Sequence, residues 1–195
     1  MGGLVVLAYA LAAPQRVRRL VLVCTGSGGP AFMKAPGALW QRGHPRFRAM
    51  AALGVLHLAL PNRATERLLN NLIRRESFVD KRLAHTDPIA LRDWFRPRTG
   101  RADWHRVARK LDYEPRLAEI AVPTLVLGAR HDPQFPLASS QQLASRIPGA
   151  ELVVLEHSGH FPNLEEPTQF WAAVGRFLDG AATSPAHERS PTWKP

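Results

Sequence analysis

The stretch from Val122 to Leu155 leaves this chain few ways to fold. Val122–Gly128 is an apolar run closed by a glycine, Pro136–Ile147 has the length and spacing of a helix with proline in its first turn, and Glu151–Leu155 is a second short run. A strand that is apolar at nearly every position has no face to give to water, so it belongs in a parallel sheet covered on both sides by helices. The same order appears at the start of the chain. Met1–Ala13 is a helix ended by Pro14, and Val17–Cys24 is a strand built on Val21-Leu22-Val23. Thr25–Pro30, with three glycines, is the loop at that strand's carboxyl end. Leu4, Val5, Val6, Leu7, Tyr9, Ala10 and Leu11 surround the first helix almost completely, which predicts burial on every side. Glu166–Leu178 closes the α/β part as an amphipathic helix carrying Phe170, Trp171, Val174, Phe177 and Leu178.

Between these parts the period changes. From Ala31 to about Tyr113, Leu53, Leu56, Leu58 and Leu60, then Leu68, Leu69, Leu72 and Ile73, recur at helical spacing. The chain therefore divides into an α/β portion at 1–30, an all-helical insertion at 31–115, a second α/β portion at 116–179 and a Pro-, Ser- and Thr-rich tail at 180–195, expected to be disordered. The aromatic residues of the insertion give it pocket candidates in Trp40, Phe47, Trp94, Phe95 and Trp104, although such residues also serve simply to pack a helical core.

With 195 residues, 45% hydrophobic and 22% charged, the chain can bury a sizeable core. Its single cysteine, Cys24, excludes an internal disulfide and fits a reducing, cytoplasmic setting. The apolar start lacks the basic segment of a secretion signal, and no run approaches the ~20 apolar residues of a membrane-spanning helix. The net charge of +10 is concentrated between Trp40 and Arg116, where 17 Lys and Arg face 8 Asp and Glu. Such a patch could hold an anionic partner, which makes a non-catalytic binding module the rival reading. No nucleic-acid motif accompanies the charge, so arginine that merely solvates helices is the simpler account, with no nucleic-acid or membrane partner expected.

Two residues carry the chemistry. Asp132 follows the strand that ends at Gly128 and is stiffened by Pro133 and Pro136, and His160 follows the strand that ends at Leu155, in a Ser158-Gly159-His160 turn. Functional loops of a parallel sheet gather at the strands' carboxyl ends, and one helix and one strand separate these two residues, so adjacent strands bring them together. A hydroxyl becomes a useful nucleophile when an imidazole accepts its proton, and the imidazole needs a carboxylate to fix its tautomer and stabilise its cation. The competing reading makes Asp132 a turn cap and His160 a core residue. A metal reading that adds His131 and His157 fails on spacing, since His157 and His160 lie in a turn and no second ligand pair has zinc spacing. No metal or cofactor is expected.

The order of Met1-Gly2-Gly3 opening an apolar helix, the Gly128–Pro133 acid loop, the His157–His160 loop and the helical insertion between them resembles the back half of an α/β-hydrolase of the serine-hydrolase type. The resemblance covers roughly residues 1–179 and implies the last three parallel strands of that fold with their flanking helices and a helical cap. It implies a small-molecule hydrolase without cofactor, cleaving an ester, lactone or related acyl bond. Asp132 would orient His160, and His160 would act as base and then acid. Met1 would stand directly after the nucleophilic serine and Gly2 would close its elbow, so the remnant of the elbow and of the oxyanion hole is Met1-Gly2 and the serine is expected just upstream of Met1. Three residues are unsuitable as substitutes: Ser27 is not followed by the buried helix an elbow requires, Cys24 reads as a small apolar residue at the end of a buried strand, and Ser158 is too close to the base turn. The chain as written is therefore expected to be inactive. Epoxide hydrolases, dehalogenases and cofactor-free peroxidases share the fold, and the nucleophile separates several of them. With the preceding strands absent, Val17–Cys24 is expected to expose an apolar sheet edge, an aggregation liability.

Overall fold

The computed structural model describes residues 2–29, 35, 37–85 and 110–180. Within them the sheet has three parallel strands, β1 (Leu20–Val23), β2 (Thr124–Ala129) and β3 (Glu151–Leu155), in the order β1-β2-β3. The register pairs Leu20 with Thr124 and Val23 with Leu127 on one side, and Leu125 with Glu151 and Ala129 with Leu155 on the other. All six residues of the central strand are buried.

Alternation along these strands sorts the core into two layers. On one face Leu20, Leu22 and Val126 meet Leu7 and Ala10 of α1 (Gly2–Ala12), Leu143 of α4 (Leu137–Arg146), Ile147 just beyond it, and Leu117 and Ile120. On the other, Leu125, Leu127 and Leu155 pack on Phe170 and Ala173 of α6 (Pro167–Asp179). The insertion contributes α2 (Phe47–Ala59) and α3 (Arg63–Glu76). The Asn62 carboxamide opens α3 by accepting from the Ala64 and Thr65 N–H groups while the Thr65 hydroxyl accepts from the Asn62 N–H, a reciprocal cap that satisfies three otherwise orphaned donors.

Several expected boundaries shift for identifiable reasons. The first strand begins at Leu20 rather than Val17, because Pro14–Arg16 forms a tight turn whose last bond runs from the Val17 N–H to the Pro14 carbonyl. It stops before Cys24, which adopts a left-handed φ of 43°. The second strand begins at Thr124 rather than Val122, since Pro123 has no N–H to give the ladder; its carbonyl accepts from Leu20 instead. Pro136 stands just outside α4 rather than in its first turn, and the closing helix, α6, begins at Pro167 with a separate single turn, α5 (Pro162–Glu165), ahead of it.

One expectation about burial is corrected. The first helix is buried on one stripe only: Leu4, Leu7 and Ala10 face the sheet while Val5, Val6 and Tyr9 are exposed, because β1 is the edge strand and nothing described lies beyond it. The leucines of α2 do form a helix, but no residue of α2 is buried among the described residues, and Leu58 is 75% exposed. The tail at 181–195 lies outside the described residues. No helix among the described residues is long and apolar enough to cross a membrane.

Candidate active site

The acid and histidine loops leave neighbouring strands and are laced together before either side chain is placed. The Arg130 N–H donates to the Leu155 carbonyl at 2.9 Å and the His131 N–H to the Ser158 carbonyl at 3.0 Å. Asp132 then turns its side chain back on its own loop: Oδ1 accepts from the Gln134 and Phe135 N–H groups at 2.7 and 3.0 Å. That leaves Oδ2 at 2.9 Å from His160 Nδ1. The two side chains are 0% and 7% exposed, so this contact is made out of water, where a charge-assisted hydrogen bond is strong. The imidazole is held by ring contacts: Phe135 stacks on it at 5.8 Å and Phe161 meets it edge-on at 5.2 Å.

The turn before His160 is fixed by two carboxylates. Glu166 accepts from the His157 N–H at 2.9 Å and from the Ser158 hydroxyl. Glu165 accepts from the Gly159 N–H at 2.6 Å with one oxygen, and with the other from the Val79 and Asp80 N–H groups at 2.7 and 3.1 Å. Burial outweighs these donors and raises the Glu165 carboxyl above the ordinary carboxylate range.

Cys24 lies beneath the pair. Its Sγ donates to the Gly159 carbonyl at 4.0 Å, and burial, followed by the charge of Asp132, holds its thiol well above the ordinary value. Such a group is kept protonated and is a poor nucleophile. Ser158 is committed to Glu166, and Ser27 is 2% exposed. Cys24, Asp132 and His160 place one potential ligand atom each within 4.8 Å of one another, the one such trio among the described residues. An ion there would have to break the Nδ1–Oδ2 hydrogen bond, so the trio is better described as an acid–histidine pair with a buried thiol beside it.

The amino end of α1 reaches the same edge of the sheet. Gly3 is so close to Thr25, in the loop after β1, that a Cβ on it would lie 2.0 Å from Thr25 Oγ1, and Gly28 in turn is packed against Leu4 and the Leu111 carbonyl. Gly2 begins the helix and Met1 lies outside the described residues. Of the pocket candidates, Trp40 is half-buried beside Leu39, whose N–H donates to the Pro133 carbonyl of the acid loop at 2.6 Å, and Phe47 is half-buried in the first turn of α2. Trp94, Phe95 and Trp104 lie outside the described residues. Sequence reading missed Ser77, Gln134, Phe135, Phe161 and Glu165, all of which surround the pair. Only their closeness to Asp132 and His160 in the chain could have marked the last four; nothing marks Ser77.

Comparison with known proteins bears on this arrangement. Residues 1–167 match the family described as alpha/beta hydrolase fold. A 2-hydroxy-6-oxononadienedioate/2-hydroxy-6-oxononatrienedioate hydrolase from Paraburkholderia xenovorans is 30% identical over 192 residues, covering 91% of this chain and 59% of that protein. A 2-hydroxymuconate semialdehyde hydrolase from a Pseudomonas species is 32% identical, covering 94% and 62%. Among solved structures, an enol-lactonase from Burkholderia xenovorans superposes with a TM-score of 0.61 at 27% identity, covering 91% of this chain and 62% of that one. The chain thus spans about three-fifths of the length of the curated relatives it matches.

Proposed function

This chain belongs to the α/β-hydrolase fold family, and we propose that within it Asp132 and His160 are the acid and base of a triad that hydrolyses an acyl bond of a small substrate. The observation that carries the proposal is the buried 2.9 Å contact between His160 Nδ1 and Asp132 Oδ2 at the carboxyl edge of the sheet. With the Nδ1 proton given to Asp132, the proton-accepting nitrogen is Nε2. It takes the proton of a nucleophilic hydroxyl as that oxygen bonds to the substrate carbonyl, and returns it to the leaving group as the acyl bond breaks. A second cycle with water in the place of the nucleophile frees the acid. Asp132 remains ionised and stabilises the imidazolium formed midway.

The nucleophile in this proposal is a serine presented at the amino end of α1. Gly3 is pressed against Thr25 there, at the same edge as the pair, and within the chain Cys24, Ser27 and Ser158 are unsuited to the role for the reasons given above. The α2–α3 insertion acts as the cap, and the substrate is a small ester, lactone or oxo-acid. The names of the relatives, two hydrolases of 2-hydroxy-6-oxo acids or semialdehydes and an enol-lactonase, support that class.

Two measurements test this reading. The reading frame directly 5′ of the Met1 codon is expected to encode Gly-x-Ser, and protein that includes it should be labelled by a fluorophosphonate and lose labelling on His160→Ala. The 195-residue chain alone should remain unlabelled. Labelling at a residue within that chain, or labelling of the longer form indifferent to His160, overturns the proposal.

A further inference from the structure

The segment that follows α3, Ser77–Asp80, touches both loops of the candidate triad. Ser77 is fully buried; its carbonyl accepts from the His160 N–H at 2.7 Å, and its hydroxyl accepts from Gln134 Nε2 at 2.8 Å while donating to the Ile73 carbonyl. Gln134 is the same residue whose backbone N–H supports Asp132. One serine therefore ties the acid loop to the histidine loop, and α3 to both. The approach is as close as backbone allows, since a Cβ on Gly159 would fall 2.3 Å from the Ser77 carbonyl oxygen. Phe78 extends the contact by stacking on Phe161 at 4.8 Å, the ring that stands edge-on to His160.

What holds the segment in place is Glu165. Its two oxygens accept from Val79 and Asp80 on one side and from Gly159 on the other, so a single carboxylate spans the insertion and the histidine turn. Three N–H donors on one half-buried carboxylate leave little rotational freedom to either strand of chain.

We propose that Glu165 is a positioning residue for the base: by clamping Ser77–Asp80 onto Gly159, it sets the Ser77 carbonyl that anchors the His160 backbone, and so makes seating of the helical insertion and alignment of the acid–histidine pair a single event. The proposal rests on the reading of Asp132 and His160 as acid and base. Its test needs no turnover, so it can fail independently of that reading.

The test uses the whole 195-residue chain and compares Glu165→Gln with Gln134→Ala, which cuts the other arm without removing a charge and leaves the backbone N–H on Asp132 intact. Two quantities are read by NMR: amide hydrogen exchange at Val79, Asp80, Gly159 and His160, and the low-field resonance of the His160 Nδ1 proton, identified by its absence in Asp132→Asn. A Gln side chain keeps one acceptor oxygen where the carboxylate has two, so it must release either the Gly159 N–H or the Val79 and Asp80 N–H groups, and exchange must rise on at least one of the two sides in any case. The proposal requires more. The His160 amide, which Glu165 does not touch, should exchange about fivefold faster, the factor that corresponds to one net hydrogen bond, and the Nδ1 resonance should broaden or move. Gln134→Ala should shift the same two His160 signals to a smaller extent, which keeps the test decisive if Glu165→Gln does not fold. A folded Glu165→Gln protein with the His160 amide and Nδ1 proton unchanged overturns the proposal, and if only Gln134→Ala folds, unchanged His160 signals there do so.

Discussion

Replacing Asp132 with Asn separates what the acid does for the fold from what it does for the imidazole. Asn can keep its amide oxygen at the Oδ1 position, where it still accepts from the Gln134 and Phe135 N–H groups. Its NH2 then faces His160 Nδ1, and because an amide nitrogen only donates, the imidazole must accept there and carry its proton on Nε2. The hydrogen bond survives with its direction reversed and its charge removed. A charge-assisted bond contributes about 1.5–3 kcal/mol and a neutral one about 0.5–1.5 kcal/mol, and relief from burying a carboxylate offsets part of the difference, so the net cost is about 1 kcal/mol. With m near 2 kcal/mol/M, the urea midpoint should fall by about 0.5 M.

Asp132→Ala should cost more. It orphans two part-buried N–H groups in addition to losing the imidazole contact, which amounts to about 3 kcal/mol and a midpoint shift of about 1.5 M. Urea unfolding measures both variants, and a long-range proton–nitrogen spectrum of His160 reads the tautomer. In a nucleophile-bearing form, Asp132→Asn should lower kcat by about 10⁴, because an Nε2 that already holds a proton cannot take another. Retention of the Nδ1 proton in Asp132→Asn, or an alanine variant no less stable than the asparagine one, refutes the reasoning.

Three other outcomes are expected. Because burial and Asp132 raise the Cys24 pKa, the native state keeps a proton that the unfolded chain loses from about pH 8.5, so Cys24 contributes stability below that pH and loses it as pH rises; the gap between wild type and Cys24→Ala in denaturant midpoint should move against wild type from pH 8 to 10, and a pH-independent gap counts against the assignment. Gly3→Ala should drive α1 off the Thr25 loop at a cost of about 1–3 kcal/mol, and Thr25→Gly should recover part of it in a double-mutant cycle by thermal unfolding; additive effects would mean the two do not touch. Since among the described residues β1 is paired on one side only and Val5, Val6 and Tyr9 are exposed beside it, the 195-residue chain should self-associate with concentration in light scattering, and a Val6→Lys substitution should reduce this; a monomer at all concentrations contradicts it.

The residues themselves determined the layers and the pair. Val21-Leu22-Val23, Leu125–Leu127 and the helix between β2 and β3 point to a parallel sheet between helices, because short apolar runs rich in β-branched residues favour extended backbone, whose N–H and C=O groups neighbouring strands satisfy. Once the strands are parallel, Asp132 and His160 must meet at their carboxyl ends, and the order of the segments is enough to give the family. What the chain could not say from its pattern was which apolar faces would be covered: the all-round hydrophobicity of α1 reads as burial, yet exposure depends on what lies beyond the helix and not on the helix. Nor could it show that Glu165 reaches back to the N–H groups of Val79 and Asp80, 86 and 85 residues earlier in the chain, while holding the histidine turn. Local pattern fixes strands and helices because it acts over a few residues. Contacts between a carboxylate and backbone N–H groups of a distant segment leave no periodic trace, so the support around His160 was decided by tertiary structure alone.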